Sequence, residues 1–149
     1  MAADTLKNGA AKASFEKFIE AQGGSLDKDG RPVFTELPVE CAALYAGEEG
    51  YLASLNALKI GEASMHLGAG RKTKEDVIDM GAGIKLEKKI GSVVKKGDCI
   101  ARFYKGSRSA IGESEIQYAV SIAESAISIS PEPVMKPKEI LAVLDETTI

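Results

Sequence analysis

The stretch Leu55–Ile100, LNALKIGEASMHLGAGRKTKEDVIDMGAGIKLEKKIGSVVKKGDCI, decides the fold of this 149-residue chain, because it joins a helix, a glycine stop, a charged turn and a hairpin. Residues 56–67 carry apolar side chains on more than one helical face, so we expect a substantially buried helix. Gly61 lies inside that helix, where glycine costs about 1 kcal/mol relative to alanine, and we expect another backbone to approach it closely. Gly68 and Gly70 are suited to the left-handed conformations that end helices.

A hairpin follows the charged turn. Residues 83–90 and 99–104 have the composition of strands, and Gly91, Val94 and Gly97 are spaced as a tight connection between them. We therefore expect these two strands to pair.

Elements on either side complete the predicted fold. Residues 39–46 and 50–55 are typical of strands, which we expect to pair with each other, and residues 126–130 predict another strand. Apolar residues at helical spacing predict a helix around residues 116–123. Residues 139–144 are apolar enough for a final strand or a short helix, and periodicity does not decide between them. The predicted fold class is α+β.

The first part of the chain predicts a separate helical segment. Phe15, Phe18 and Ile19 lie at helical spacing and are followed by Gly23-Gly24, which ends helices. We expect the apolar face of this segment to dock on another surface.

Composition argues against several classes of function. The formal charge is −3 and the pI about 5.3, whereas binding to nucleic acid needs a strongly basic surface. The lysines of residues 85–96 alternate with apolar residues, which indicates a solvated strand face. No apolar run is long enough to span a membrane. Cys41 and Cys99 lack neighbours at metal-ligand spacing, which indicates buried free thiols in a cytoplasmic protein.

Two glycine-rich motifs have structural explanations. Residues 68–73 contain the glycines and lysine of a phosphate cradle, but these glycines close a helix, whereas a phosphate-binding loop opens one. The side chains of Arg71, Lys72 and Lys74 leave a modest contact with an anion open. Gly81-Ala82-Gly83 lacks the third glycine and the helix of a dinucleotide-binding motif, so a turn before a strand is expected.

The titratable residues of this region also favour structural roles. His66 is the single histidine and has no candidate nucleophile near it in sequence, which indicates a packed or surface helix residue. Glu75, Asp76 and Asp79 follow a basic stretch and are expected to pair with it or to cap the next turn.

Four segments, Leu67–Arg71, Lys74–Asp76, Ile78–Asp79 and Val94–Gly97, together resemble the C-terminal domain of pyrimidine-nucleoside phosphorylases, including the thymidine phosphorylases. The residues that carry the resemblance are the signature positions Gly68, Ala69, Gly70, Arg71, Lys74, Glu75, Asp76, Ile78 and Asp79, and the hairpin positions Gly91, Val94 and Gly97.

The resemblance implies an α/β-hammerhead fold with a barrel-sandwich-like antiparallel sheet and flanking helices. It makes residues 1–24 a helical lead-in from a missing central domain and residues 25–149 the hammerhead domain. The parent enzyme would convert uridine, thymidine or deoxyuridine and inorganic phosphate to a free base and a pentose 1-phosphate, as a homodimer. The family's Lys-His-Ser-Thr-Gly-Gly run is absent here. We therefore assign no catalytic, cofactor-binding or metal residue, and expect the chain alone to be inactive.

Three alternative interpretations concern the same residues. The spacing of the hairpin up to Ile100 also occurs in biotinyl and lipoyl carrier domains, but position 107, where a carrier has its lysine, is Ser107, and Lys105 is two residues early. The C-terminal domain of an AMP phosphorylase resembles this chain as well. A stand-alone binding or regulatory module with the same fold is the third alternative.

Overall fold

The structure is a computed structural model that describes residues 2–34, 37–71 and 73–138, together with residues 140 and 142. The chain divides into two compact units, Met1–Thr35 and Glu36–Ile149. The assignment of residues 1–24 to a missing domain stays a prediction. The element predicted at residues 139–144 falls largely outside the described residues.

The described part of the first unit contains two helices, and the second of them is the predicted one. Helix α1 spans Ala2–Lys7 and helix α2 spans Ala10–Ala21, with Gly9 between them in a left-handed conformation (φ 80°). No residue of α2 is buried, and Phe15 and Phe18 are exposed. The apolar face of α2 is therefore present, and its docking stays a prediction.

The described part of the second unit contains two three-stranded antiparallel sheets and two α-helices. Its elements are β1 (Pro38–Tyr45), β2 (Gly50–Leu55), α3 (Ala57–Ser64), β3 (Gly83–Leu86), β4 (Val93–Val94), β5 (Cys99–Gly106), α4 (Glu113–Ser125) and β6 (Ile127–Ser130). The order of the first sheet is β1-β5-β3 and that of the second is β4-β2-β6. This confirms the α+β class, and the described strands form two small sheets without closing a barrel.

The expected pairing of β1 with β2 is wrong. Strand β1 pairs with β5, and β2 pairs with β4 and β6. The connection after β1 is already bonded to the hairpin, since Ala46 donates to the Asp98 carbonyl (2.9 Å) and accepts from the Gly97 amide (2.8 Å). These bonds occupy the backbone groups that a β1–β2 hairpin would need, so the two strands enter different sheets.

The expected pairing of the two hairpin strands is confirmed, but the first strand is shorter and the connection, residues 87–98, is longer than the expected tight turn. Strands β3 and β5 pair from Gly83 opposite Tyr104 to Leu86 opposite Ala101. The connection between them contains β4, whose buried Val94 belongs to the second sheet. The connection thus links the two sheets.

Helix α3 is buried on one face only. Ala63 and Leu67 are fully buried, whereas Leu58 is 81% exposed, so the expectation of burial on several faces is wrong. A β-carbon on Gly61 would meet no atom within 4 Å, so the expected close backbone approach is absent within the described structure. A π-helical turn at Met65–Ala69 extends the helix to its end.

Only one of the two predicted capping glycines is left-handed. Gly68 has φ 103° and ψ 0°, whereas Gly70 is extended (φ −143°, ψ 171°). A single left-handed residue reverses the chain, and an extended residue then carries it away from the helix.

Two hydrophobic clusters hold the second unit together. The larger cluster lies between the first sheet and helices α3 and α4, and Phe103 is its largest fully buried side chain. The smaller cluster, formed by Ala46, Leu52, Val94 and Ile100, joins the second sheet to β5.

Substitution of Gly61 tests the one-sided burial of α3. Gly61→Ala should stabilise the protein by about 0.5–1 kcal/mol, because the helix accepts a methyl group there without a clash and the unfolded chain loses freedom. Gly68→Ala is the matched control and should destabilise by about 1–2 kcal/mol, since φ is positive and the new β-carbon would lie 3.1 Å from the Asp79 β-carbon. Urea unfolding midpoints measure both. Destabilisation by Gly61→Ala would contradict the observation that there is space for a β-carbon at this position.

Candidate functional site

The carboxylate of Asp79 connects three segments of the second unit. Its Oδ1 accepts a hydrogen bond from the Gly81 amide (2.9 Å), and its Oδ2 accepts one from the Gly106 amide (2.8 Å) at the end of β5. The backbone amide of Asp79 donates to the Gly68 carbonyl (2.9 Å). The end of the α3 helical region, the turn before β3 and the end of β5 thus meet at one residue.

Glycine is required where these segments touch. A β-carbon on Gly81 would lie 2.6 Å from the Gly106 α-carbon, closer than packed atoms approach. Both glycines are buried, so the two backbones are in direct contact beneath the Asp79 carboxylate. The sequence predicted a turn at Gly81 but gave no sign of its partner, because Gly106 is 25 residues further along the chain.

The environment of Asp79 favours its charged form. Burial alone would raise the pKa of this carboxyl, but the amides of Gly106 and Gly81 and the Ser109 side chain hydrogen-bond to it, and the net pKa lies below its usual value. The folded state is therefore stabilised by an ionised Asp79.

The other acidic signature residues lie on the surface. Asp76 accepts hydrogen bonds from the amide and the hydroxyl of Thr73, both at 3.0 Å, and holds the turn that precedes Asp79. Glu75 forms an exposed ion pair with Lys74 (3.8 Å). Arg71 is exposed, and Lys72 lies outside the described residues.

His66 lies in a cavity of about 390 Å³ that Asp79, Ser109 and Glu115 also line. Its ring packs edge-on against Tyr118, with centroids 4.8 Å apart. The Ser109 hydroxyl hydrogen-bonds to Asp79 rather than to the imidazole, so the three residues do not form a nucleophile–base–acid relay. His66 is a packed helix residue.

The described residues include no metal-binding cluster of three or more His, Cys, Asp or Glu side chains. Cys41 and Cys99 are partly buried free thiols, and burial raises the pKa of Cys41, which disfavours the reactive thiolate. None of the described helices is long and apolar enough to cross a membrane. The arrangement around Asp79 is suited to holding backbone segments in place.

Sequence reasoning missed a charged network on the first sheet. The Arg102 guanidinium on β5 bonds to Glu40 on β1 (2.9 Å) and to Glu87 after β3 (3.1 Å), and Lys85 also bonds to Glu87 (2.9 Å). The sequence shows the alternating charges of β3. It does not show the strand register that brings the charged residues of β1, β3 and β5 together.

Comparisons with known proteins agree on one family. The family described as "Pyrimidine nucleoside phosphorylase C-terminal domain" matches residues 51–130. Pyrimidine-nucleoside phosphorylase of Geobacillus stearothermophilus is 35% identical over 132 residues, which are 89% of this chain and 29% of that relative. The enzymes of Staphylococcus epidermidis and Bacillus subtilis are each 40% identical, over 72% and 68% of this chain and 25% and 23% of their own lengths. The chain thus spans less than a third of these curated relatives.

Replacing Asp79 by asparagine tests the role of the carboxylate. Asp79→Asn should cost about 1–3 kcal/mol at pH 7, because the amide group cannot accept from both buried backbone donors. Since the folded pKa lies below the unfolded one, the stabilisation is complete above the unfolded value near pH 4 and is lost as the pH falls through the folded pKa. The difference in the free energy of unfolding between Asp79→Asn and the native protein should therefore become smaller below pH 4.

Urea unfolding between pH 7 and pH 2.5 measures this difference, with Glu49→Gln, an exposed carboxylate in the turn before β2, as the control for charge removal. A constant difference at all pH values would contradict a role for the ionised form.

Proposed function

Because this chain belongs to the family of pyrimidine nucleoside phosphorylase C-terminal domains, we propose that it works as the structural C-terminal domain of such an enzyme. In the proposed reaction, an oxygen of inorganic phosphate attacks C1′ of uridine, thymidine or deoxyuridine. The bond from C1′ to the base nitrogen breaks, the base leaves with the bonding electrons, and a pentose 1-phosphate forms. Both substrates would bind to the parent outside this chain.

The observation that carries this proposal concerns residues 68–80, which we call the signature loop. Some of its residues bond inside the domain, and others are exposed to solvent. Gly68, Asp76 and Asp79 hold the loop through hydrogen bonds and close packing inside the domain. Val77 and Met80 are 88% and 82% exposed. We propose that these exposed apolar side chains, on a loop held from within the domain, form part of a surface that docks on another body.

The partners of the domain are part of the proposal. We propose that the signature loop packs on the missing parts of the parent, the N-terminal and central domains, and that the parent is a homodimer. The domain would form part of the rigid lobe against which another domain closes, and closure would exclude water from the reacting centre. A cytoplasmic location is part of the proposal, supported by the two free thiols, Cys41 and Cys99.

The inactivity of the chain alone is also proposed. Phosphorolysis needs clustered donors for phosphate and groups that stabilise the leaving base, and the titratable residues around Asp79 are engaged in packing and backbone bonds. The names of the matched relatives favour a pyrimidine-nucleoside phosphorylase over an AMP phosphorylase as the parent.

A domain exchange tests the proposal. The purified 149-residue chain should release no uracil from uridine and phosphate. The Geobacillus stearothermophilus enzyme should lose activity when its C-terminal domain is deleted, and should regain it when the matched part of this chain replaces that domain. The control replacement carries Gly81→Val, which should abolish the rescue because its side chain would overlap Gly106. Uracil release by the chain alone, or a folded but inactive exchange protein, would contradict the proposal.

Substitution of Arg71 tests whether the signature loop docks on another domain. In the chain alone, Arg71→Ala should change the free energy of unfolding by less than about 0.5 kcal/mol, since the side chain is exposed. In the exchange protein it should lower the thermal unfolding midpoint or kcat/KM, because a contact between domains is lost. Lys96→Ala, an exposed cation on the hairpin, is the matched control and should change neither. If Arg71→Ala and Lys96→Ala gave the same unfolding midpoint and the same kcat/KM in the exchange protein, Arg71 would not be part of the interface.

A further inference from the structure

A groove lies where the hairpin meets the ends of the two sheets. Its floor is apolar and consists of Leu55 at the end of β2, Leu86 at the end of β3, and Ile90 in the hairpin. We call this cavity the hairpin groove; its volume is about 650 Å³, which is within the range of small-molecule sites.

One wall of the hairpin groove is held by close packing. Gly91 turns the hairpin with φ 82°, and a β-carbon there would lie 2.7 Å from the Lys136 γ-carbon and 3.0 Å from the Val134 carbonyl oxygen. The segment at residues 134–136 therefore lies directly on the hairpin turn. This contact also brings Lys136 and Pro137 to the rim of the groove.

The rim of the groove is positively charged. Lys89 and Lys136 line it, and within the described part of the chain no carboxylate lies within ion-pair distance of either ammonium group. The one acidic side chain of the lining, Glu87, already bonds to Lys85 (2.9 Å) and to Arg102 (3.1 Å). The groove thus offers two available cations above an apolar floor, on a chain whose formal charge is −3.

We propose that the hairpin groove binds a small amphiphilic anion, a molecule with an aliphatic or aromatic body that ends in a carboxylate or a phosphate. The body covers Leu55, Leu86 and Ile90, and the anionic end lies between the ammonium groups of Lys89 and Lys136. Burial of the apolar body supplies most of the affinity, and the two cations select the charge of the head group. This site is separate from the signature loop and does not depend on the proposed function.

Octanoate, octyl phosphate and octanol are suitable probes, because they share one apolar chain and differ in the head group. Titration of the 149-residue chain, followed by amide chemical shifts in NMR spectra, should show saturable binding of both anions with the largest shifts at Ile90 and Ser92. Octanol should bind about tenfold more weakly, since it lacks the charge that the two lysines recognise.

Charge variants distinguish attraction of octanoate by the lysines of the groove from attraction by positive charge elsewhere on the hairpin. Lys89→Gln combined with Lys136→Gln should raise the Kd for octanoate about five- to tenfold. Lys95→Gln combined with Lys96→Gln removes the same charge from exposed positions on the same hairpin outside the groove lining, and should change the Kd less than about twofold.

Three results would overturn the proposal. The first is equal binding of octanol and octanoate, and the second is an equal effect of the two double variants. The third is octanoate binding that occurs only after residues 139–149 are removed, because the groove would then be closed by the chain itself. Retained chemical-shift dispersion in each variant shows that a lost signal does not come from unfolding.

Discussion

The fold of the second unit depends on the contact between the Asp79 carboxylate and two buried backbone amides, those of Gly81 and Gly106. Gly81 and Gly106 are buried residues, so the carboxylate supplies hydrogen bonds that their amides would otherwise lose on folding. The same residue bonds through its own amide to Gly68, where the α3 helical region ends. One residue, through its side chain and its backbone amide, therefore connects a helix end, a turn and a central strand.

This constraint explains why the signature loop combines buried and exposed residues. Gly68 and Asp79 pack against each other inside the domain. Val77, which lies between them in sequence, and Met80, which follows Asp79, are exposed to solvent. Hydrogen bonds inside the domain hold Asp76 and Asp79, and such internal bonds would lower the entropy cost of the docking that we propose. The internal contacts of the loop stabilise the domain, and its exposed apolar residues are the ones that we propose for attachment.

The sequence predicted the elements far better than their partners. Helix α4, strand β6 and the turns at Gly91 and Gly97 follow from local periodicity and glycine chemistry, which act over a few residues. The wrong pairing of β1 with β2 arose because a short connection favours a hairpin, whereas distant backbone groups decided the pairing. The partners of Asp79 and the charges that line the hairpin groove also depend on distant residues, so local patterns do not reveal them.

The strand order of the first sheet has a consequence for the synthesis of the protein. In the described sheets strand β1 pairs with β5, and residue 38 pairs with residue 106. On the ribosome, β1 must wait for nearly seventy further residues before it can form its ladder, and β2 waits longer still for β6. Helices can form early from local contacts, but the two described sheets are completed only when β6 emerges. Until then their apolar strand faces are open to chaperones and to neighbouring nascent chains.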